Sequence, residues 1–148
     1  MKLLKATLLL ALFVVLFGMS VPATFAAAKV KTESHAPQKY QYSLNIIATA
    51  YAPGPHDNDQ WGDLTYLGTK IRPGVIAVDP RVIPLGSKVY IEFPDGHGIH
   101  ATAEDTGGAI KGDRIDIAKS TEAEAYDFGI QHVKVYVVKL GSLSKQWA

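Results

Sequence analysis
The sequence predicts an all-β domain carrying one short helix. Three observations support this: apolar runs are short and rich in β-branched residues, Gly and Pro interrupt them at close intervals, and a single stretch has both a start and a stop signal for a helix. Short strands with frequent turn signals are the pattern of a barrel or a sandwich.

Six strands are expected, at Tyr42–Tyr51, Gly74–Val78, Lys88–Phe93, His100–Glu104, Arg114–Ile117 and Val133–Leu140. Between the third and fourth, Pro94-Asp95-Gly96-His97-Gly98 carries the Asp-Gly signal of a tight connection, so that pair should be antiparallel. The helix is expected from Glu122 to Phe128. Thr121 serves as its N-cap, Glu124 stands three residues on as the capping-box partner, and Gly129 closes it.

The chain opens with Met1-Lys2-Leu3-Leu4-Lys5 and an apolar run from Ala6 to Phe17, followed by Gly18, Pro22 and the small residues Ala26-Ala27-Ala28. That order reads as a secretory signal peptide over 1–28; the apolar run is short for a bilayer span, and an uncleaved anchor is the alternative. Residues 29–41 are polar, hold Pro37 and show no periodicity, so they read as a linker. Residues 42–148 can form one domain, large enough to bury a core without disulfides, which suits Cys 0. The expected location is secreted or cell-wall associated, with no stable membrane span once the signal is cleaved.

Loss of Lys2 and Lys5 with the signal lowers Lys+Arg from 15 to 13, against Asp+Glu 14. A nearly neutral domain lacks the basic excess that a phosphate backbone demands, and no nucleic-acid partner is expected.

The chemistry points to carboxylates. Asp105 follows an apolar strand and precedes Thr106-Gly107-Gly108, where two glycines let a bulky ligand approach the backbone. Period-two alternation in Arg114-Ile115-Asp116-Ile117 sets Asp116 on the face away from the two isoleucines, and Asp79 ends another apolar strand before Pro80. Carboxylates drawn to one site suit acid/base cleavage of a glycosidic bond. The bland alternatives are an Asp capping its own turn and a charged pair on a solvent face.

Four separated blocks then carry a resemblance: Val78-Asp79-Pro80, Ile83-Pro84-Leu85-Gly86, Glu104-Asp105-Thr106-Gly107-Gly108-Ala109-Ile110-Lys111-Gly112 and Arg114-Ile115-Asp116. In this order, with Ala48-Thr49-Ala50-Tyr51 ahead of them, the chain resembles the three-aspartate or 3D domain, from about Ile47 to Val138. That family is related to membrane-bound lytic transglycosylase A and to stationary-phase survival proteins. The resemblance implies a six-stranded double-psi β-barrel acting on peptidoglycan glycan strands. It further implies non-hydrolytic cleavage between N-acetylmuramic acid and N-acetylglucosamine that leaves a 1,6-anhydro end.

On the same resemblance Asp105 is the general acid and base, with Asp116 and Asp79 as orienting or electrostatic partners. Thr49 and Tyr51 are candidate sugar contacts, and Gly107, Gly108 and Lys111 are candidate binding residues. The chain departs from the simplest family pattern between Pro53 and Thr69. In that loop Trp61 and Tyr66 either stack on sugar rings or fold back onto the barrel. His56, Asp57 and Asp59 in the same loop are weak evidence for a metal, and neither a metal nor another cofactor is expected.

Three other readings stay open. Asp105-Thr106-Gly107 is the local signature of aspartic proteases, but only one copy is present. A polysaccharide-binding module of expansin or rare-lipoprotein type shares the barrel without requiring the aspartates. An ordinary glycoside hydrolase would release a reducing end.

Overall fold
Alternation between buried and exposed residues decides how the strands close. In the computed structural model, which describes residues 35–54 and 62–142, the elements are β1 (Tyr42–Tyr51), β2 (Val75–Ala77), β3 (Lys88–Glu92), β4 (Gly98–Asp105), β5 (Arg114–Ala118), α1 (Glu122–Phe128) and β6 (Gln131–Lys139). The signal segment, the first residues of the linker up to 34, and His56, Asp57, Asp59 and Trp61 lie outside the described residues.

The six strands form a closed barrel in the order β1-β5-β2-β4-β3-β6. The β1–β5 and β2–β4 pairs are parallel, and the β1–β6, β2–β5, β3–β4 and β3–β6 pairs are antiparallel. Exchanging β1, β2 and β3 with β4, β5 and β6 reproduces the whole pairing scheme, so the barrel is built from two equivalent halves. The connection from β1 to β2 straddles β5, and that from β4 to β5 straddles β2. Two such interlocked crossings make this a double-psi barrel. Closure also removes the free strand edges that an open sheet would expose.

Every strand sends alternate residues inward. Ile46 and Ala48, Ile76, Val89 and Ile91, Ala101 and Ala103, Ile115 and Ile117, and Val133, Val135 and Val137 share one buried cluster. At about 0.8 kcal/mol per buried methylene, this apolar interior is the main favourable term holding the fold. On the other face of β1, β2 and β5, Tyr51, Val75, Ala77 and Ala118 meet Ile71 and Ile110 from the loops in a second, smaller cluster.

The helix is capped as its sequence predicts. Thr121 Oγ1 accepts from Glu124 N–H at 3.2 Å, and Gly129 takes φ 63°. Glu124 reaches back one residue further than in a standard capping box, its Oε2 accepting from Ser120 N–H at 3.0 Å.

Candidate active site
The sheet register builds the site. Ala77 on β2 stands opposite Asp116 of the antiparallel β5 and opposite Asp105 of the parallel β4. Thr49 on β1 stands opposite Asp116 in turn. Asp116, Ala77 and Asp105 therefore follow one another across three adjacent strands, with the aspartate backbones roughly 10 Å apart at two strand spacings.

A bulge decides which carboxylate faces the site. Ile76 pairs with Ala103, yet Ala77 pairs with Asp105, so Glu104 is skipped. Simple alternation from Ala103, which points into the barrel, would send Asp105 inward as well. The extra residue turns Asp105 to the outer face, beside Ala77 and Tyr51.

Asp105 is only 5% exposed, and three donors satisfy it. Tyr51 Oη donates to Oδ2 at 2.8 Å, while the N–H groups of Tyr66 and Thr106 donate to Oδ1, each at 2.8 Å. Oδ1 is thus filled, whereas Oδ2 takes one donor and keeps a lone pair. Burial, followed by the charge and hydrogen bond of Asp105, pushes the Tyr51 phenol far above its ordinary value, so that hydroxyl remains a donor. Asp116 accepts from Thr49 Oγ1 at 2.8 Å.

Asp79 is spent on a different task. Its carboxylate accepts from Arg81 Nη2 at 2.7 Å, Arg81 Nε at 3.0 Å, Arg81 N–H at 3.1 Å and Gly112 N–H at 3.0 Å. It ties the glycine-rich loop to the turn after β2. The Arg81 side chain first, then the Gly112 N–H, hold the carboxyl well below the usual carboxylate range. None of its hydrogen bonds reaches Asp105 or Asp116.

The two glycines of that loop differ. A Cβ on Gly107 would lie 2.8 Å from Ile110 Cγ1, so its bare backbone makes room for a residue of the second cluster. A Cβ on Gly108 would meet nothing within 4 Å, which leaves open space for a ligand. Lys111 is exposed in the same loop.

Residues outside the aspartate set hold the rest of the site. Glu104, the residue skipped in the register, is buried and accepts from Arg72 Nη1 and Nη2, each at 3.0 Å, and from Thr69 Oγ1 at 2.5 Å. Burial works to raise the Glu104 carboxyl, but Arg72 and Thr69 outweigh it and hold the group below its ordinary value. Thr69 and Thr65 bond through their hydroxyls at 2.9 Å, and Leu67 N–H donates to Glu104 O at 3.1 Å. The segment 63–71 is thereby clamped to the end of β4. Its sequence signal is slight, since Thr65, Thr69 and Arg72 stand far from Glu104 along the chain.

A separate cavity of about 760 Å³, lined by residues including Asn45, Ile47, Phe93, Asp113, His132 and Lys134, contains none of the predicted site residues. The carboxylate chemistry and this hollow are therefore different places.

A double-psi barrel with paired strand-end aspartates defines the class of this protein. The 3D domain family model matches residues 74–139, a segment that includes all three aspartates. It is 44% identical over 105 residues to the cell wall-binding protein YocH of Bacillus subtilis (strain 168), covering 68% of this chain and 34% of that protein. It is 52% identical over 64 residues to the putative cell wall shaping protein YabE of the same organism, covering 43% of this chain and 15% of that protein. The chain thus spans about a third or less of the length of these two relatives. Among solved structures, MltA from E. coli is similar at 23% identity with a TM-score of 0.47, over 53% of this chain and 28% of that one.

Proposed function
We propose that this protein is a peptidoglycan lytic transglycosylase with Asp105 as its acid and base. The observation that carries this is the setting of Asp105: buried, aimed outward by the bulge, with Oδ1 filled by two amides and Oδ2, bonded by Tyr51 alone, keeping a lone pair to handle a proton. The carboxyl gives its proton to the oxygen leaving C1 of the muramic acid as that bond breaks. It then takes the proton from the C6 hydroxyl as the latter closes on C1, so no water is consumed and the enzyme is restored. Tyr51 and the Tyr66 and Thr106 amides orient the carboxyl. Thr49 holds Asp116, whose negative charge faces positive charge developing on the sugar ring. Asp79 is a positioning residue that holds the loop carrying Gly107, Gly108 and Lys111. The mature domain works outside the cell, at the wall.

A second reading, wall binding without cleavage, is favoured by the name that YocH carries. Digestion of purified peptidoglycan separates the readings. Anhydro-muropeptides released by the wild type and absent with Asp105→Asn support the transglycosylase. Reducing ends would indicate a hydrolase, and sacculus retention without release would indicate a binding module.

A further inference from the structure
Tyr66 is an aromatic side chain that the fold leaves without a structural task. It is 55% exposed, belongs to neither buried cluster, and among the described residues it hydrogen-bonds through its backbone N–H, to Asp105 Oδ1, and not through its ring hydroxyl. Other exposed aromatics lack that tie. Tyr40 lies edge-on to Tyr136 at 5.1 Å, and Tyr126 stands on α1.

The backbone beneath Tyr66 is held firmly. The turn from Thr65 is closed by Gly68 N–H donating to Thr65 O at 2.9 Å, and Thr65 N–H donates to Thr69 O at 2.8 Å. Thr69 and Arg72 bind the buried Glu104, next in sequence to Asp105. A rigid backbone spares a ligand the cost of ordering the residue it contacts. A wet ring carried on a backbone that is itself bonded to a carboxylate is suited to receive the apolar face of a sugar, with its hydroxyl left in water.

Resting on the reading of Asp105 as the glycan site, we propose that the Tyr66 ring is its saccharide-stacking surface. The ring fixes the position of one pyranose relative to Asp105, and the Glu104-Arg72-Thr69 cluster presents the ring. Tyr66 is a specificity and positioning residue, and it takes no part in proton transfer.

The test uses the full mature chain carrying Asp105→Asn, which stops turnover, and peptide-free glycan strands as the probe in titration calorimetry. In that background Tyr66→Ala should weaken binding about tenfold, while Tyr66→Phe and Tyr66→Trp stay within about twofold of the parent. Tyr66→Ala binding within about twofold of the parent overturns the stacking role and leaves the reading of the site intact. Tyr66→Phe as weak as Tyr66→Ala overturns it too, since the hydroxyl would then be the contact. A parent that binds no glycan overturns the reading of the site and this proposal together. The Phe and Trp variants keep the ring, so a fold defect confined to Tyr66→Ala does not decide the outcome.

Discussion
Tyr51 donates its phenolic hydrogen to Asp105 Oδ2 at 2.8 Å, across 54 residues of sequence and from the far end of β1 to the end of β4. The bond is buried, and it joins the second apolar cluster to the proposed catalytic carboxyl. Tyr51→Phe leaves Oδ2 without its donor and should cost about 1–3 kcal/mol of stability, the penalty for a buried acceptor left unpaired. Urea unfolding of Tyr51→Phe, Asp105→Ala and the double variant checks this; the two losses should be clearly non-additive, and strict additivity would count against the coupling.

The glycine-rich loop makes a contrasting pair of variants. Gly107→Ala drives a methyl into Ile110 and should cost about 1–3 kcal/mol, as overpacking usually does. Gly108→Ala has open space and should leave the urea midpoint unchanged. Shortening the neighbour in Gly107→Ala/Ile110→Val should recover part of the loss.

Asp79 supplies an acid-sensitive clamp. Its folded-state carboxyl lies below the unfolded value, so its contribution is complete above about pH 4 and declines as pH falls below that. Glu104, also lowered in the folded state, acts in the same direction. Asp79→Asn should therefore be less stable than wild type at neutral pH, with the difference narrowing under acid. Urea midpoints from pH 7 down to pH 3 read this out, and a constant gap would contradict the clamp.

Glu104 should govern how tightly the segment 63–71 is held. Glu104→Gln removes the charge that Arg72 grips at both nitrogens, and with a half-exposed partner the loss should be about 1 kcal/mol. Amide exchange at Tyr66 and Leu67 should quicken more than at Val135 in the core. Uniform quickening would point to global destabilisation instead.

Much of the fold is legible in the residues themselves. The expected helix Glu122 to Phe128 matches α1, because its caps are local signals. The first strand, Tyr42–Tyr51, matches β1, and the third and fourth are joined as an antiparallel hairpin. Discrepancies fall at strand ends, where a partner strand decides. The expected fourth strand stops at Glu104, yet β4 runs on to Asp105 because Asp105 pairs with Ala77. The expected sixth strand opens at Val133, yet β6 starts at Gln131 because Gln131 and His132 pair with Ala48 and Ile47.

The site divides in the same way. Asp105, Asp116 and Asp79 could be singled out from their strand-end positions and their motif, and Thr49 and Tyr51 from the opening block; Thr49 and Tyr51 prove to be direct partners of Asp116 and Asp105. Arg81 had a signal two residues after Asp79. Thr69 and Arg72 had none, since their common partner Glu104 is more than 30 residues away, and Thr65 acts only through Thr69.

By itself the sequence determined the apolar alternation, the helix caps, the turn chemistry and the aspartate motif, all of which act through neighbours a few residues apart. Only the tertiary structure decided the pairing order, the division of labour among the aspartates, and the direction in which Asp105 points. That direction depends on one skipped residue in the β2–β4 register, and a register exists only once two distant strands have met.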